Sequence, residues 1–312
     1  MKDVPVYSYI RYLAAKKSVD DRALNRRVLQ TLQSLLRVAG PDPLRILEVG
    51  AGIGTMIERL VDWGVLNRAT YVAVDADADA VSEACRRLPQ WADQCGYHLS
   101  MESCQRMSVR AAEQEILVEF EAAEISDFVA RQRNHRSWDL ILANAFLDLV
   151  DLPSTLPPLC ALVQPGGLIY LTINFDGLTI LQPDIDPLLD PKIVTLYHET
   201  MDQRVVSGKP AGDSQTGRHL FDHLRAYGVQ LLDAGSSDWI VFAGPDGYPD
   251  DEAYFLHHII HTISSALRGH PDVDARRLDA WIGERHSQIE RGTLVYIAHQ
   301  LDLLGRMPEN MR

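Results

Sequence analysis

The sequence predicts an α/β fold built on an open, mostly parallel sheet, and three observations carry that expectation. Short apolar runs of strand length alternate with longer stretches of helical period. The first run, residues 44–49, passes straight into a glycine turn (Gly50-Ala51-Gly52-Ile53-Gly54-Thr55) and then into a helix with Ile53, Ile57, Leu60 and Val61 on one face. A second strand, residues 70–74, ends on the acidic Asp75, one strand–helix–strand unit after Gly50. A glycine turn between a strand and a helix presents free backbone N–H groups to a nucleotide-like ligand at the carboxyl edge of a sheet.

Composition bounds what such a fold can do. The 312 residues can bury a large core, and 46% apolar with 23% charged residues is the balance of a soluble globular protein. A formal net charge of −13 argues against unassisted binding of nucleic acid or an anionic membrane. No signal pattern or bilayer-spanning run is visible. Cys85, Cys95, Cys104 and Cys160 have no C-x-x-C spacing and read as free thiols of a cytoplasmic protein.

Taken in order, residues 1–17 form an aromatic and basic arm. Ser18 and Asp21 have capping-box spacing, so a helix is predicted with Leu24, Val28, Leu32, Leu35 and Leu36 inward, stopped by Gly40 and Pro41. After the second strand, Asp77 and Asp79 cap a helix whose face is Val81, Ala84, Cys85 and Leu88. Residues 96–117 are polar and aperiodic, an insertion or an extra hairpin. Ile116, Val118 and Phe120 alternate as a third strand, followed by Glu124, Ile125 and Asp127. Residues 138–146 are a fourth strand ending in Asn144-Ala145-Phe146. A helix over 152–163, a Pro165-Gly166-Gly167 turn and a strand over 168–175 follow. Residues 177–212 carry several prolines and no sustained period, which predicts a long excursion over the ligand face. Beyond it lie a helix within 212–227, short strands at 229–232 and 239–242, helices at 251–267 and 274–290, and a last strand at 293–298. Trp239 and Trp281 are read as core or domain contact.

The glycine turn does not fit the dinucleotide fingerprint G-x-G-x-x-G. Its last glycine would fall on Thr55 counting from Gly50, or on Ile57 counting from Gly52. What stands is E-x-G-x-G-x-G-T, from Glu48 to Thr55. Together with Asp75 and the P-G-G turn, it resembles the class I S-adenosylmethionine (SAM)-dependent methyltransferases over about residues 40–176. The resemblance implies a Rossmann-like seven-stranded sheet with helices on both faces, an N-terminal helical arm that covers the site, and SAM as cofactor with S-adenosylhomocysteine as product. Helices near the last strands depart from the minimal fold and add a C-terminal helical elaboration. Three segments follow: arm and helix over 1–40, SAM-binding core over 41–176, and substrate side over 177–312.

The resemblance also implies site residues. Glu48 helps hold the SAM ammonium, while Gly50, Ala51, Gly52, Gly54 and Thr55 let the backbone approach the ligand. Asp75, with Ala76, accepts from the ribose diol. Glu124 and Ile125 lie by the adenine, and Asn144 and Ala145 face the cofactor from the fourth strand. Methyl transfer from a sulfonium needs alignment more than covalent help, and a base only where the nucleophile starts protonated. The catalytic candidates are therefore few: His219, and Asn174 after the fifth strand. On the acceptor side stand Tyr7, Tyr12, Phe146, Asp176, His198 and Arg218. Arg218 and His219 open a helix where a guanidinium suits an anionic group, unless both are solvated cap residues; Asn174 and Asp176 have a turn with Gly177 as their alternative. His257, His258 and His261 form H-H-x-x-H, but a zinc helix of the H-E-x-x-H type needs Glu where His258 stands, so no metal is predicted. The expected acceptor is a small molecule, since the N-P-P-Y of enzymes acting on nucleic acid or protein amides is missing. An aminopropyltransferase would carry paired acids in place of Asn144-Ala145-Phe146. A non-catalytic SAM-binding protein is the remaining alternative, and the motif count disfavours a nicotinamide dehydrogenase.

Overall fold

The computed structural model describes residues 7–37, 42–111, 113–132, 137–206 and 208–309. Three helices come first: α1 (Tyr9–Ala15), α2 (Lys17–Ala23) and α3 (Arg26–Arg37). The expected single helix after Ser18 is divided. The Ser18 hydroxyl donates to Glu252 at 2.7 Å instead of capping, and the chain leaves helical geometry at Leu24 (φ −46°, ψ 125°). Asn25 restarts it by accepting from the Val28 N–H at 3.1 Å. The stop expected at Gly40 and Pro41 lies outside the described residues.

The first half of the sheet alternates strand and helix: β1 (Leu44–Val49), α4 (Thr55–Asp62), β2 (Arg68–Asp75), α5 (Ala78–Gln94), the hairpin β3 (His98–Met101) and β4 (Arg106–Ala111), β5 (Gln114–Ala122), α6 (Ile125–Arg131) and β6 (Trp138–Asn144). A 3₁₀ turn (Leu147–Leu149) and α7 (Leu152–Cys160) lead into β7 (Val163–Gln182). Then follow α8 (Leu189–Asp202), the short pair β8 (Val205–Val206) and β9 (Lys209–Pro210), α9 (Thr216–Ala226), β10 (Gln230–Ser236), β11 (Trp239–Val241), α10 (Glu252–Leu267), α11 (Ala275–Glu290) and β12 (Val295–Arg306).

The main sheet has ten strands in the order β10-β12-β7-β6-β1-β2-β5-β4-β3, with β11 paired to the start of β12. Its inner strands, β7-β6-β1-β2-β5, are parallel, and β12 inserts antiparallel between β7 and β10. Seven strands from β5 to β10 thus form a Rossmann-like core, extended by the β3–β4 hairpin at one edge and by β11 at the other. Side chains alternate between two buried layers, as a two-sided parallel sheet requires. Ile46, Leu140 and Leu142 pack with α3, α4 and α5, while Leu47, Ile141 and Ala143 pack with α6, α7 and α9. Among the described residues no helix is long and apolar enough to cross a membrane.

Residues 177–212 differ most from expectation. β7 continues through Gln182 because β12 pairs with it from Leu168 to Gln182, and α8 replaces the expected loop. The helical period of Leu189, Ile193, Leu196 and Met201 is masked by Pro187 and Pro191, yet Pro191 sits in the first turn, where an N–H has no intrahelical partner. Asp190 ties α8 to α11. It accepts from the Ile185 N–H at 2.7 Å, the Trp281 indole at 2.5 Å and Arg285 at 2.7 Å, and Arg285 is fully buried. Asp190→Ala leaves that guanidinium without its counter-ion and is expected to cost about 3–5 kcal/mol. Chemical denaturation checks this; a loss below about 1 kcal/mol, the size of an exposed pair, would show that the α8–α11 contact does not depend on it.

Candidate active site

A cavity of about 420 Å³ opens at the carboxyl ends of β1, β2, β6 and β7, beneath α1 and α10. The glycine turn forms one end of it. Gly50 and Gly52 adopt φ of 66° and 54°, which a side chain strains to reach. A Cβ at Gly50 would stand 2.3 Å from the Phe146 ring, so the ring lies directly on the glycine; one at Gly52 would touch Leu13 of α1 at 3.4 Å. Asp75 closes the turn: its two oxygens accept from the Gly52 N–H at 2.6 Å and the Asp77 N–H at 2.9 Å, and each keeps a further lone pair. Glu48 lies below, buried, with the Tyr71 hydroxyl donating to it at 2.7 Å. Burial raises its pKa to about 8, against the opposing pull of Tyr71 and the Arg59 charge.

The mouth is shaped by two left-handed residues that are not glycine, Ala145 (φ 51°) and Ile173 (φ 56°). Asp302 on β12 accepts from the Ile173 N–H at 2.8 Å and from the Asn25 N–H at 2.8 Å, so one buried carboxylate fixes both the bend in β7 and the start of α3. Burial raises the pKa of Asp302 to about 6.

The other end of the cavity is aromatic. Tyr12 from α1, Tyr197 from α8, Trp239 from β11, His258 from α10 and Tyr296 from β12 line it, with Gln300 and Thr179. Burial, then neighbouring phenols, lifts the Tyr12 and Tyr296 hydroxyls well above their ordinary range; burial pushes Tyr197 up to about 12 and His258 down to about 4, so these groups are neutral near pH 7. The arm is clipped over this end. Tyr12 stacks on His258 with 4.2 Å between centroids, Tyr7 stacks on His261 at 4.3 Å, and Arg11 pairs with Asp251 at 2.8 Å. Underneath, Arg59 of α4 reaches Asp20 at 3.4 Å and pairs with Asp21, while Asp20 also accepts from Lys16 and from the Trp239 indole, each at 2.9 Å.

The sequence-predicted residues divide in two. Glu48, Gly50, Ala51, Gly52, Thr55, Asp75, Ala76, Glu124, Ile125, Asn144, Ala145, Phe146 and Tyr12 line the one cavity. Gly54 sits behind it, where a Cβ would meet Phe120 at 3.2 Å and Ala84 at 3.3 Å, and so serves helix–sheet packing. The other candidates are off the wall. Arg218 forks onto Asp176 at 2.8 and 3.0 Å and adds its own backbone N–H at 2.8 Å, a neutralised clamp at the start of α9. His219 contacts Asp213 at 2.6 Å on the surface, and the Asn174 amide donates to the Leu301 carbonyl at 2.8 Å inside the sheet. His198 stands one layer back, against Thr179 at 3.0 Å and the Phe175 ring; among the described residues the ring contacts of Tyr7 are with Tyr254, His258 and His261 of α10. Of the three-histidine run, His257 pairs with His286 at 2.7 Å and only His258 reaches the cavity.

Sequence reasoning missed Asp148, Tyr197, Arg204, Trp239, His258, Tyr296 and Gln300 as wall residues. A signal existed for part of the set: Tyr197 and Met201 are spaced i, i+4, one helical face, and Arg204 follows two residues past the end of that helix.

A family model for a methyltransferase domain matches residues 21–193, more than half of the chain. Solved structures similar to it include a protein of Bacillus halodurans assigned as a methyltransferase (11% identity, 89% of this chain and 98% of that chain, TM-score 0.47). Others are the geranyl diphosphate C-methyltransferase of Streptomyces coelicolor (10%, 89% and 79%, TM-score 0.42) and a phosphoethanolamine N-methyltransferase of Haemonchus contortus (10%, 98% and 62%, TM-score 0.40). No curated protein sequence matches the chain. The family match takes in the whole glycine turn, Asp75 and the ends of β5 and β6 that line the cavity. The chain belongs to the methyltransferase-domain family.

Proposed function

We propose that the protein transfers a methyl group from SAM to a small-molecule acceptor. One observation carries the reading: the glycine turn with its two carboxylates and the aromatic chamber are opposite ends of a single roofed cavity. Its volume, about 420 Å³, falls among the smaller of the small-molecule sites, which span about 300–1,000 Å³. A cofactor-sized ligand at the turn leaves room for a small acceptor and none for a folded polymer.

The residues present fit SAM. Glu48 is a buried carboxyl held near neutrality, and an ammonium beside it would offset the cost of ionising it. The spare lone pairs of Asp75 suit the ribose diol. When bound, SAM supplies a methyl on a positively charged sulfur. The faces of Tyr12, Tyr197, Trp239 and Tyr296 favour positive charge, and their neutral hydroxyls orient an acceptor without competing for the methyl as phenolates. The arm, held by Arg59 and His258, keeps bulk water out of the chamber.

Calorimetry is expected to show SAM and S-adenosylhomocysteine binding while NAD does not bind; tight NAD binding without SAM binding sinks the reading. Asp75→Ala is expected to weaken SAM by about 1.5–3 kcal/mol, the range for hydrogen bonds to a charged group. An unchanged dissociation constant in a folded variant would move the ribose contact elsewhere.

Glu48 gives a second, pH-linked test. Its folded pKa of about 8 lies above the ordinary value of 4.5, so protonated Glu48 favours the folded state. That contribution is complete below the unfolded pKa and is lost as pH rises through the folded one. Glu48→Gln is therefore expected to raise the melting temperature of the ligand-free protein at pH 9 relative to wild type, with little difference at pH 4.5, and yet to weaken SAM binding. A variant that is no more stable at pH 9, or that binds SAM as wild type does, contradicts this role.

A further inference from the structure

We propose that Arg204 anchors the acceptor and that the acceptor is a small carboxylic acid. The inference rests on the methyl-transfer reading and names its substrate class. Two cations stand on the cavity wall, Lys16 and Arg204. Lys16 is committed to Asp20 at 2.9 Å. Among the described residues, the guanidinium of Arg204 makes no hydrogen bond and no ion pair, unlike Arg59, Arg218 and Arg285. Arg204 lines the cavity together with Asp148 and Tyr197. A half-buried arginine without a counter-ion among the described residues, in a chain of net charge −13, is a position that an anion would complete.

Asp148 is not that anion, since no ion pair joins it to Arg204 and its Oδ1 is buried with no hydrogen-bond partner. The wall therefore carries, among the described residues, an arginine with no ion pair and a buried carboxylate oxygen, Asp148 Oδ1, with no hydrogen-bond partner. A single molecule satisfies both if its carboxylate forks onto Arg204 and an N–H or O–H elsewhere on it donates to Asp148. A lone guanidinium matches a monoanion better than a phosphate, which carries about −1.5 to −2 at neutral pH. The rings of Tyr197, Trp239 and Tyr296 line the same cavity, so the body of the acceptor is flat or apolar.

The test uses the full chain saturated with S-adenosylhomocysteine and reads binding by calorimetry. The probes are 4-aminobenzoate, 4-hydroxybenzoate and L-phenylalanine, each beside its methyl ester, together with phenyl phosphate. At least one acid is expected to bind at least about tenfold more tightly than its ester. Arg204→Met is expected to remove that preference while S-adenosylhomocysteine still binds within about twofold of wild type, and Arg204→Lys to restore part of it. The proposal is overturned if no acid of the set binds, if acids and esters bind alike, if Arg204→Met keeps the preference, or if phenyl phosphate binds best. Should S-adenosylhomocysteine itself not bind, the methyl-transfer reading fails first, and that result is separate from any result with the acids.

Discussion

The buried contact between Arg59 and Asp20 is the constraint on which the architecture of the site depends. Arg59 belongs to α4, the helix that starts directly from the glycine turn. Asp20 belongs to α2, and also receives Lys16 beside the roof helix and Trp239 from the far wall. Floor, roof and back wall thus meet on one carboxylate that is wholly buried. Burying two charges costs several kcal/mol per ion, and that cost is offset only when hydrogen bonds satisfy both partners. Here they do: Thr55 and the Lys17 carbonyl complete Arg59 at 3.1 and 3.3 Å, and the indole completes Asp20. The arrangement specifies one position for the arm, because any slide of α2 strands a charge.

Charge is sorted along the cavity. The glycine-turn end holds the acids Glu48, Asp75 and Glu124, whereas the chamber wall offers neutral phenols, an imidazole held uncharged, the carboxyl of Asp148 and, in Arg204, a guanidinium with no ion pair among the described residues. Desolvation produces most of this pattern, lifting acids and phenols and depressing histidines wherever no partner intervenes. An acidic end and a largely neutral aromatic end discriminate between the two ends of an elongated ligand pair without requiring many specific contacts.

What was legible in the sequence is what local chemistry enforces. The glycines at 50 and 52 need left-handed backbone, the acid at 75 ends a strand, and the parallel strands are buried on both faces; each follows from neighbours within a few residues. What was not legible depends on partners far along the chain. Ser18 looked like a cap until Glu252, 234 residues away, accepted its hydroxyl. Arg218 looked like an anion seat because nothing in its own helix announces that Asp176, 42 residues earlier, already neutralises it. The helix α8 hid behind prolines that its first turn tolerates, and with it Tyr197 and, just past its end, Arg204. The extra length of β7 and β12 is mutual: each strand is long because the other lies beside it.

That mutual pairing has a consequence for how the protein is made. The strands that carry the glycine turn and Asp75 leave the ribosome early and can find one another among themselves. β12 follows every other described strand, and it supplies Tyr296 and Gln300 to the chamber and Asp302 to the bend in β7. Until those residues emerge, the outer edge of β7 is an open row of unpaired amides and carbonyls on an apolar strand, the kind of edge that recruits other chains. The nascent protein is therefore aggregation-prone from the emergence of β7 until that of β12, which both closes that edge and completes the chamber.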